Sequence, residues 1–130
     1  MKTKLTDMLK IGYPIIQSGM ATVATTSLVS AVSKAGGLGI LAAAGQSAEQ
    51  LRMEIRQLRS MDVGMFGVNL VPVAPRFPDH FRVAMEEKVP VICSGLRNPF
   101  SLTSTRKPEG MKYIPTVGSL LDVAPTVLHL

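Results

Sequence analysis

The sequence has few aromatic rings and almost no thiol chemistry. Its 130 residues include one cysteine, no tryptophan, two tyrosines and four phenylalanines. A single cysteine excludes an internal disulfide and, with no secretory pattern, favours a reducing, cytoplasmic setting. Because stacking surfaces and runs of lysine or arginine are both scarce, we expect no nucleic-acid partner.

Long apolar runs are also missing. The longest, over residues 36–45, falls well short of the ~20 residues that a membrane helix needs. Near the amino terminus, Asp7, Gly12 and Pro14 interrupt the apolar segment that a signal peptide would require. We therefore expect no membrane association.

The charge excess is modest, at a formal +5. Arg52, Arg56 and Arg59 fall on one face of a predicted helix, with Glu49 and Glu54 nearby. We interpret these side chains as a solvated helix surface rather than as a site for an anionic partner.

The positive signal is a repeat of apolar, β-branched runs separated by helical patterns. The runs recur at intervals of roughly 25 residues, over residues 14–17, 38–41, 66–71, 89–94 and 113–117. Continuous apolar strands that alternate with amphipathic helices predict a parallel sheet covered by helices, with consecutive strands adjacent. The predicted fold class is α/β, with four to five parallel β/α units curling as part of a (β/α)8 barrel. A whole barrel takes about 250 residues, so at most half of one fits.

Local signals predict where the helices begin and end. Ser47 and Gln50 form a capping box before a helix with apolar residues at helical spacing. Thr26 and Ser27 are predicted to cap an earlier helix that ends at Gly36. The predicted apolar face of that earlier helix comprises Leu28, Ala31, Val32 and Ala35.

The later helical signals are weaker. Asp79 is predicted to cap a third helix. Residues 98–110 are rich in poor helix formers and predict only a frayed turn. Residues 118–122 resemble a new helix start, but Pro125 falls inside its second turn.

The candidate site residues follow the predicted strands, where β/α barrels place their active sites. Gly19, Met20 and Ala21 follow the first strand, and a small residue there lets the backbone approach a planar ring. Asn69 ends the third strand as a polar amide among apolar neighbours, which costs free energy unless its hydrogen bonds are met. The alternatives are a glycine turn after the first strand and an Asn69 that caps the loop before Pro72.

Ser94 and Gly95 extend the same edge after the fourth strand, or form an ordinary strand-to-loop turn. Gln17 is either an orienting residue behind Gly19 or a satisfied strand residue. Cys93 has no activating base next to it and is interpreted as core packing. His80 and His129 are interpreted as exposed or structural, and no histidine or cysteine pair has metal-ligand spacing.

Five segments together resemble one family of flavin enzymes. Residues 14–21, 34–41, 66–70, 94–99 and 114–117 are similar to the FMN-dependent enoyl-(acyl carrier protein) reductase II and nitronate monooxygenase family, which is built on a (β/α)8 barrel. The resemblance implies that Gly19, Met20, Ala21, Asn69, Ser94 and Gly95 bind FMN.

The resemblance also implies a chemistry for a complete barrel. In the reductase branch, NADH or NADPH would reduce FMN, and the substrate would be an acyl thioester. In the nitronate monooxygenase branch, the substrate would be a small nitroalkane. Gly19 before Met20, and the segment from Ser94 to Pro99, look more like the reductase branch.

The family's catalytic histidine and phosphate-binding loops belong to the second half of the barrel, so no catalytic residue is assigned. We expect residues 1–118 to form the amino-terminal half of an FMN-binding barrel and residues 119–130 to be an unmatched tail, as in a truncated chain. FMN binding is then expected to be weak or lost. The alternative is a non-catalytic half-barrel that forms a homo-oligomer or awaits a complementing second-half chain.

Overall fold

Alternating apolar strands and amphipathic helices produce one parallel sheet with helices packed on it. The computed structural model describes residues 1–95 and 97–117. Its strands are β1 (Ile16–Gln17), β2 (Leu38–Ala42), β3 (Phe66–Leu70), β4 (Val91–Gly95) and β5 (Lys112–Thr116). Its helices are α1 (Lys4–Leu9), α2 (Thr26–Lys34), α3 (Ala48–Ser60), α4 (Phe77–Glu86) and α5 (Pro99–Thr103). The strand order β1-β2-β3-β4-β5, with every neighbouring pair parallel, confirms the predicted half-barrel.

The larger core lies between the sheet and the helices. Alternate strand residues such as Leu41, Val68 and Ile92 face it from the sheet, and α3 contributes Leu51 and Ile55. Four aromatic rings, with centroids 5.6–5.7 Å apart, continue this core toward β5: Phe77, Phe81, Phe100 and Tyr113. The helices cover one face of the strands and the other face is partly covered, so the central strands consist of continuous apolar runs.

A smaller core lies on the opposite, inner face of the sheet. Leu38 and Ile40 of β2 and Val91 and Cys93 of β4 form it together with Leu9 of α1. Helix α1, which the sequence analysis did not predict, begins at a capping box formed by Thr3 and Thr6. The amino-terminal helix therefore covers part of the inner face.

Helix α2 buries only part of the face that was predicted, because Leu28 and Val32 are no more than half-buried. Ala31 and Ala35 are exposed, and Val29 is the buried residue of the helix. Gly39 explains the difference, because a Cβ atom there would lie 2.5 Å from the Val29 carbonyl oxygen. The backbones of α2 and β2 touch at this glycine, and that contact sets the rotation of the helix. The helix also begins at Thr26 after an N-cap at Thr25, so Thr26 and Ser27 are not its caps.

Of the other predicted helix starts, one is confirmed and one is wrong. The capping box of α3 is confirmed, since the Ser47 hydroxyl accepts the backbone N–H of Gln50 at 3.2 Å. Helix α4 begins at Phe77, so Asp79 lies in its first turn and does not cap it. The short helix α5 agrees with the predicted frayed turn. The predicted helix start at 118–122 and the tail 119–130 lie outside the described residues.

The arginine face of α3 is not simply solvated, contrary to expectation. Arg52 pairs with Glu86 and with Glu87, and Arg56 pairs with Glu87 at 2.8 Å. Arg59 donates to the backbone carbonyl oxygens of Glu87 and Lys88. Arg59 thus satisfies backbone carbonyl oxygens at the end of α4, and the three arginines together fix α3 against α4.

No helix in the described part of the chain is long and apolar enough to cross a membrane.

Candidate functional site

The carboxyl ends of β1 and β3 meet at Gly19 and Asn69. A Cβ atom built on Gly19 would lie 2.4 Å from the Asn69 Cβ and 3.3 Å from its Nδ2 atom. Only glycine allows this approach, because a real Cβ cannot come so close to another carbon. The structure thus brings together two residues that the sequence analysis had singled out separately.

Strand β2 lies between them and holds both. The Ala42 N–H donates to the Ala24 carbonyl at 3.3 Å, which ties the loop after Gly19 to the sheet. The Ala43 N–H donates to the Asn69 carbonyl at 3.2 Å. We call residues 19–21, 42–43 and 69 the rim site. The sequence did not point to the two alanines, because they act through backbone N–H groups and have no functional side chain.

The turn from Met20 to Ala24 exposes backbone donors. The Met20 carbonyl accepts the Ala24 N–H at 2.8 Å, while the N–H groups of Met20 and Ala21 donate to nothing in the described ranges. Thr22 has φ 63°, a left-handed conformation that costs a β-branched residue free energy. A strained turn with free N–H groups is typical of a segment shaped to hold a ligand.

The Asn69 side chain lies on the inner face, in register between Ala42 and Cys93. It is partly buried, and its amide makes no hydrogen bond within residues 1–95 and 97–117. The amide can therefore both donate and accept toward a ligand. Gln17 is different, because its side-chain amide is paired with both backbone groups of Ile40, at 3.2 and 3.4 Å. It is thus a satisfied strand residue.

The structure places the Ser94 side chain away from the rim site. Its hydroxyl is 2.8 Å from the Tyr113 hydroxyl and donates to the Arg97 carbonyl at 3.0 Å, on the helix side of β4. Burial raises the pKa of the Tyr113 hydroxyl, and its hydrogen bond with Ser94 offsets part of that effect. Gly95 ends β4 on the inner face, where a Cβ atom built on it would lie 3.9 Å from the Thr116 Cβ. Any role of Ser94 at the rim would therefore fall to its backbone.

The remaining reactive side chains have structural environments. Cys93 is buried among Leu38, Ile40 and Val91 on the inner face, which confirms that it packs in the core, and this burial raises the pKa of its thiol to about 12. His80 is buried inside α4, with Nε2 2.9 Å from the Gln46 carbonyl oxygen, so it is structural. His129 lies outside the described residues. Among those described, no group of three acidic, cysteine or histidine side chains could hold a metal.

The fold and the site define a class: a parallel β/α half-barrel whose candidate binding residues gather at the carboxyl ends of its strands. The sequence model of the nitronate monooxygenase family matches residues 2–120. The chain belongs to this family of oxidoreductases.

Individual relatives agree with that assignment. An indene-carboxyl-CoA dehydrogenase of Mycobacterium tuberculosis is 34% identical over 92% of the chain, and a probable nitronate monooxygenase of Staphylococcus aureus is 48% identical over 53%. The structure of FabK from Thermotoga maritima is similar over 98% of the chain, with a TM-score of 0.88 and 41% identity. The chain spans 34% of the length of the first relative, 19% of the second and 41% of the FabK chain.

Proposed function

We propose that this chain supplies the ring-binding side of an FMN site in a flavin-dependent oxidoreductase. The observation that carries the proposal is the contact of Gly19 with Asn69. It sets a free backbone turn beside the polar side chain of β3. Membership of the nitronate monooxygenase family and likeness to FabK support flavin chemistry in particular.

The described residues fit the edge of a planar ring. An isoalloxazine edge alternates carbonyl oxygens with ring nitrogens, so it needs both donors and acceptors. The N–H groups of Met20 and Ala21 supply donors, and the Asn69 amide supplies one of each. When bound, FMN would supply the hydride or electron transfer, while these residues would orient the ring.

The residues that bind the phosphate group of FMN are expected in another part of the barrel. Phosphate sites of β/α barrels generally follow strands seven and eight, and the described sheet has five strands. In this proposal, the chain alone binds FMN weakly, through ring contacts.

An acyl thioester is the substrate class that we propose, with NADH or NADPH as the electron donor. The M. tuberculosis relative, which is similar over most of the chain, is by name a carboxyl-CoA dehydrogenase. The nitronate monooxygenase relative matches over a shorter stretch. A reducing cytoplasm suits the single buried thiol, Cys93.

Titration of the purified chain with FMN, followed by quenching of flavin fluorescence, tests the cofactor proposal. We expect saturable binding in the micromolar range, and Asn69→Ala should weaken it about tenfold through loss of the side-chain hydrogen bonds. Gln57→Ala, on the exposed side of α3, is the matched control and should leave affinity unchanged. Absence of wild-type binding at high micromolar FMN would contradict the proposal.

Self-association is the second candidate function. Several apolar side chains beside β1 are exposed, among them Tyr13, Ile15 and Val23. Among the described strands β1 pairs with β2 alone, so its other edge offers free backbone groups. We propose that a second copy, or a chain carrying the rest of a barrel, covers this edge.

A further inference from the structure

His80 is held in one orientation by the loop between β2 and α3. The residue is 3% exposed, and its Nε2 atom is 2.9 Å from the Gln46 carbonyl oxygen. A carbonyl oxygen only accepts, so Nε2 carries the proton and donates. The buried side chain of His80 in α4 thus donates its hydrogen bond to a loop that belongs to another β/α unit.

Gln46 fixes that loop from within. Its side-chain Nε2 donates to the Ala42 carbonyl at 3.0 Å and to a Glu54 carboxylate oxygen at 2.8 Å. Its backbone N–H donates to the Ala43 carbonyl at 3.2 Å, which closes a turn in which Gly45 has φ 84°. Residues 42–47 therefore form one tightly bonded segment.

The same segment contains Ala42 and Ala43, which connect the two halves of the rim site. Ala43 donates its N–H to the Asn69 carbonyl, and Ala42 donates to Ala24 in the loop after Gly19. A shift of the segment would move both halves of the rim site together. The hydrogen bonds run without a gap from His80 through Gln46 to Ala43 and Asn69.

We propose that His80 is a positioning residue for Asn69, acting through Gln46 and Ala43. Its effect on cofactor binding rests on the proposed function, whereas the coupling itself can be measured without cofactor. Arg76 donates to the same Gln46 carbonyl at 3.1 Å from an exposed position. Loss of His80 should therefore loosen the segment without releasing it.

Amide hydrogen exchange in the cofactor-free chain tests the coupling. Three variants are compared with wild type: His80→Phe keeps ring volume without a donor, His80→Gln places an amide N–H about where Nε2 lies, and His80→Asn is too short to reach. We expect the Ala43 amide to exchange about fivefold faster in His80→Phe and His80→Asn, the effect of one hydrogen bond, and near the wild-type rate in His80→Gln. The Ile92 amide, central in β4, corrects for changes in global stability.

Two results would overturn the proposal: Ala43 exchange that changes only in proportion to Ile92, or equal behaviour of His80→Gln and His80→Asn. If His80→Phe does not fold, the pair of amide variants still decides the question. FMN titration adds a second readout, with affinity about fivefold weaker in His80→Asn and restored in His80→Gln. If wild type binds no FMN, the proposed function fails while the exchange data still test the coupling.

Discussion

At the scale of single residues, Gly19 is the position where one added methyl group should do most damage to the rim site. The Cβ of Gly19→Ala would lie 2.4 Å from the Asn69 Cβ, so the turn or the strand must shift. We expect a loss of about 1–3 kcal/mol in the free energy of unfolding, as for other overpacked sites. Urea unfolding measures the loss.

Gly12→Ala is the matched control for that substitution. The nearest contact of a Cβ at Gly12 is 3.6 Å, an ordinary van der Waals distance. Its unfolding free energy should fall by less than about 1 kcal/mol. Equal losses in the two variants would show that the contact between Gly19 and Asn69 is not specific.

Cys93 gives a second prediction at this scale. Burial raises the pKa of its thiol to about 12, so the reactive thiolate is scarce at pH 8. A thiol reagent should label the native chain far more slowly than the chain in urea, where the thiol has its ordinary pKa of about 8.5. Fast labelling of the native chain would mean that the inner face opens.

At the scale of elements, the contact between α3 and α4 should depend on pH. The hydrogen bonds from Arg56, and then from Arg52, hold the pKa of Glu87 below its usual range. The folded state therefore favours the ionised carboxylate. The stabilisation is complete above the ordinary glutamate pKa of about 4.3 and is lost as pH falls through the lower folded value.

Glu87→Gln should therefore lower the free energy of unfolding by about 1 kcal/mol at pH 7 and make little difference near pH 2. Thermal or urea unfolding across this range measures the difference. The exposed Glu109 makes no ion pair within the described ranges, so Glu109→Gln should match wild type throughout. A constant offset of Glu87→Gln at all pH values would exclude the charge as the cause.

The elements also show which parts of the fold could be read from the sequence. Helix α3 was predictable because its capping box and apolar spacing are local signals. The buried face of α2 was not, because it depends on Gly39 from the next strand. The partners of the arginines on α3 were missed for the same reason, since Glu86 and Glu87 lie about thirty residues away.

The candidate site divides in the same way. Gly19 and Asn69 were found because each ends a predicted strand, and parallel strands end at one edge. Ala42, Ala43 and His80 were not predicted as site residues. They act through hydrogen bonds to backbone groups and through burial, and neither can be inferred from residue type. The Ser94 side chain points to the same face of β4 as Ile92, two residues earlier, and that face packs against the helices. In a strand that is apolar on both sides, the sequence does not show which residues face the helices.

At the scale of the whole molecule, the free edge of β1 predicts self-association. Ile15 is 61% exposed beside this edge, whereas Val73 is 60% exposed on the loop after β3. Ile15→Lys should shift the chain toward monomer, and Val73→Lys, the control with equal exposure, should not. Sedimentation over a range of protein concentrations measures the shift, and a wild-type chain that is monomeric throughout would remove the second candidate function.

The packing of α1 on the inner face has a consequence for how the chain is made. Leu9 shares its core with Val91 and Cys93, which emerge from the ribosome some eighty residues later. At about 5–20 residues per second, that interval lasts on the order of 4–16 seconds. Helix α1 packs on strands that are synthesised after it, so part of its apolar side stays open to chaperones and to neighbouring chains until Val91 and Cys93 have emerged.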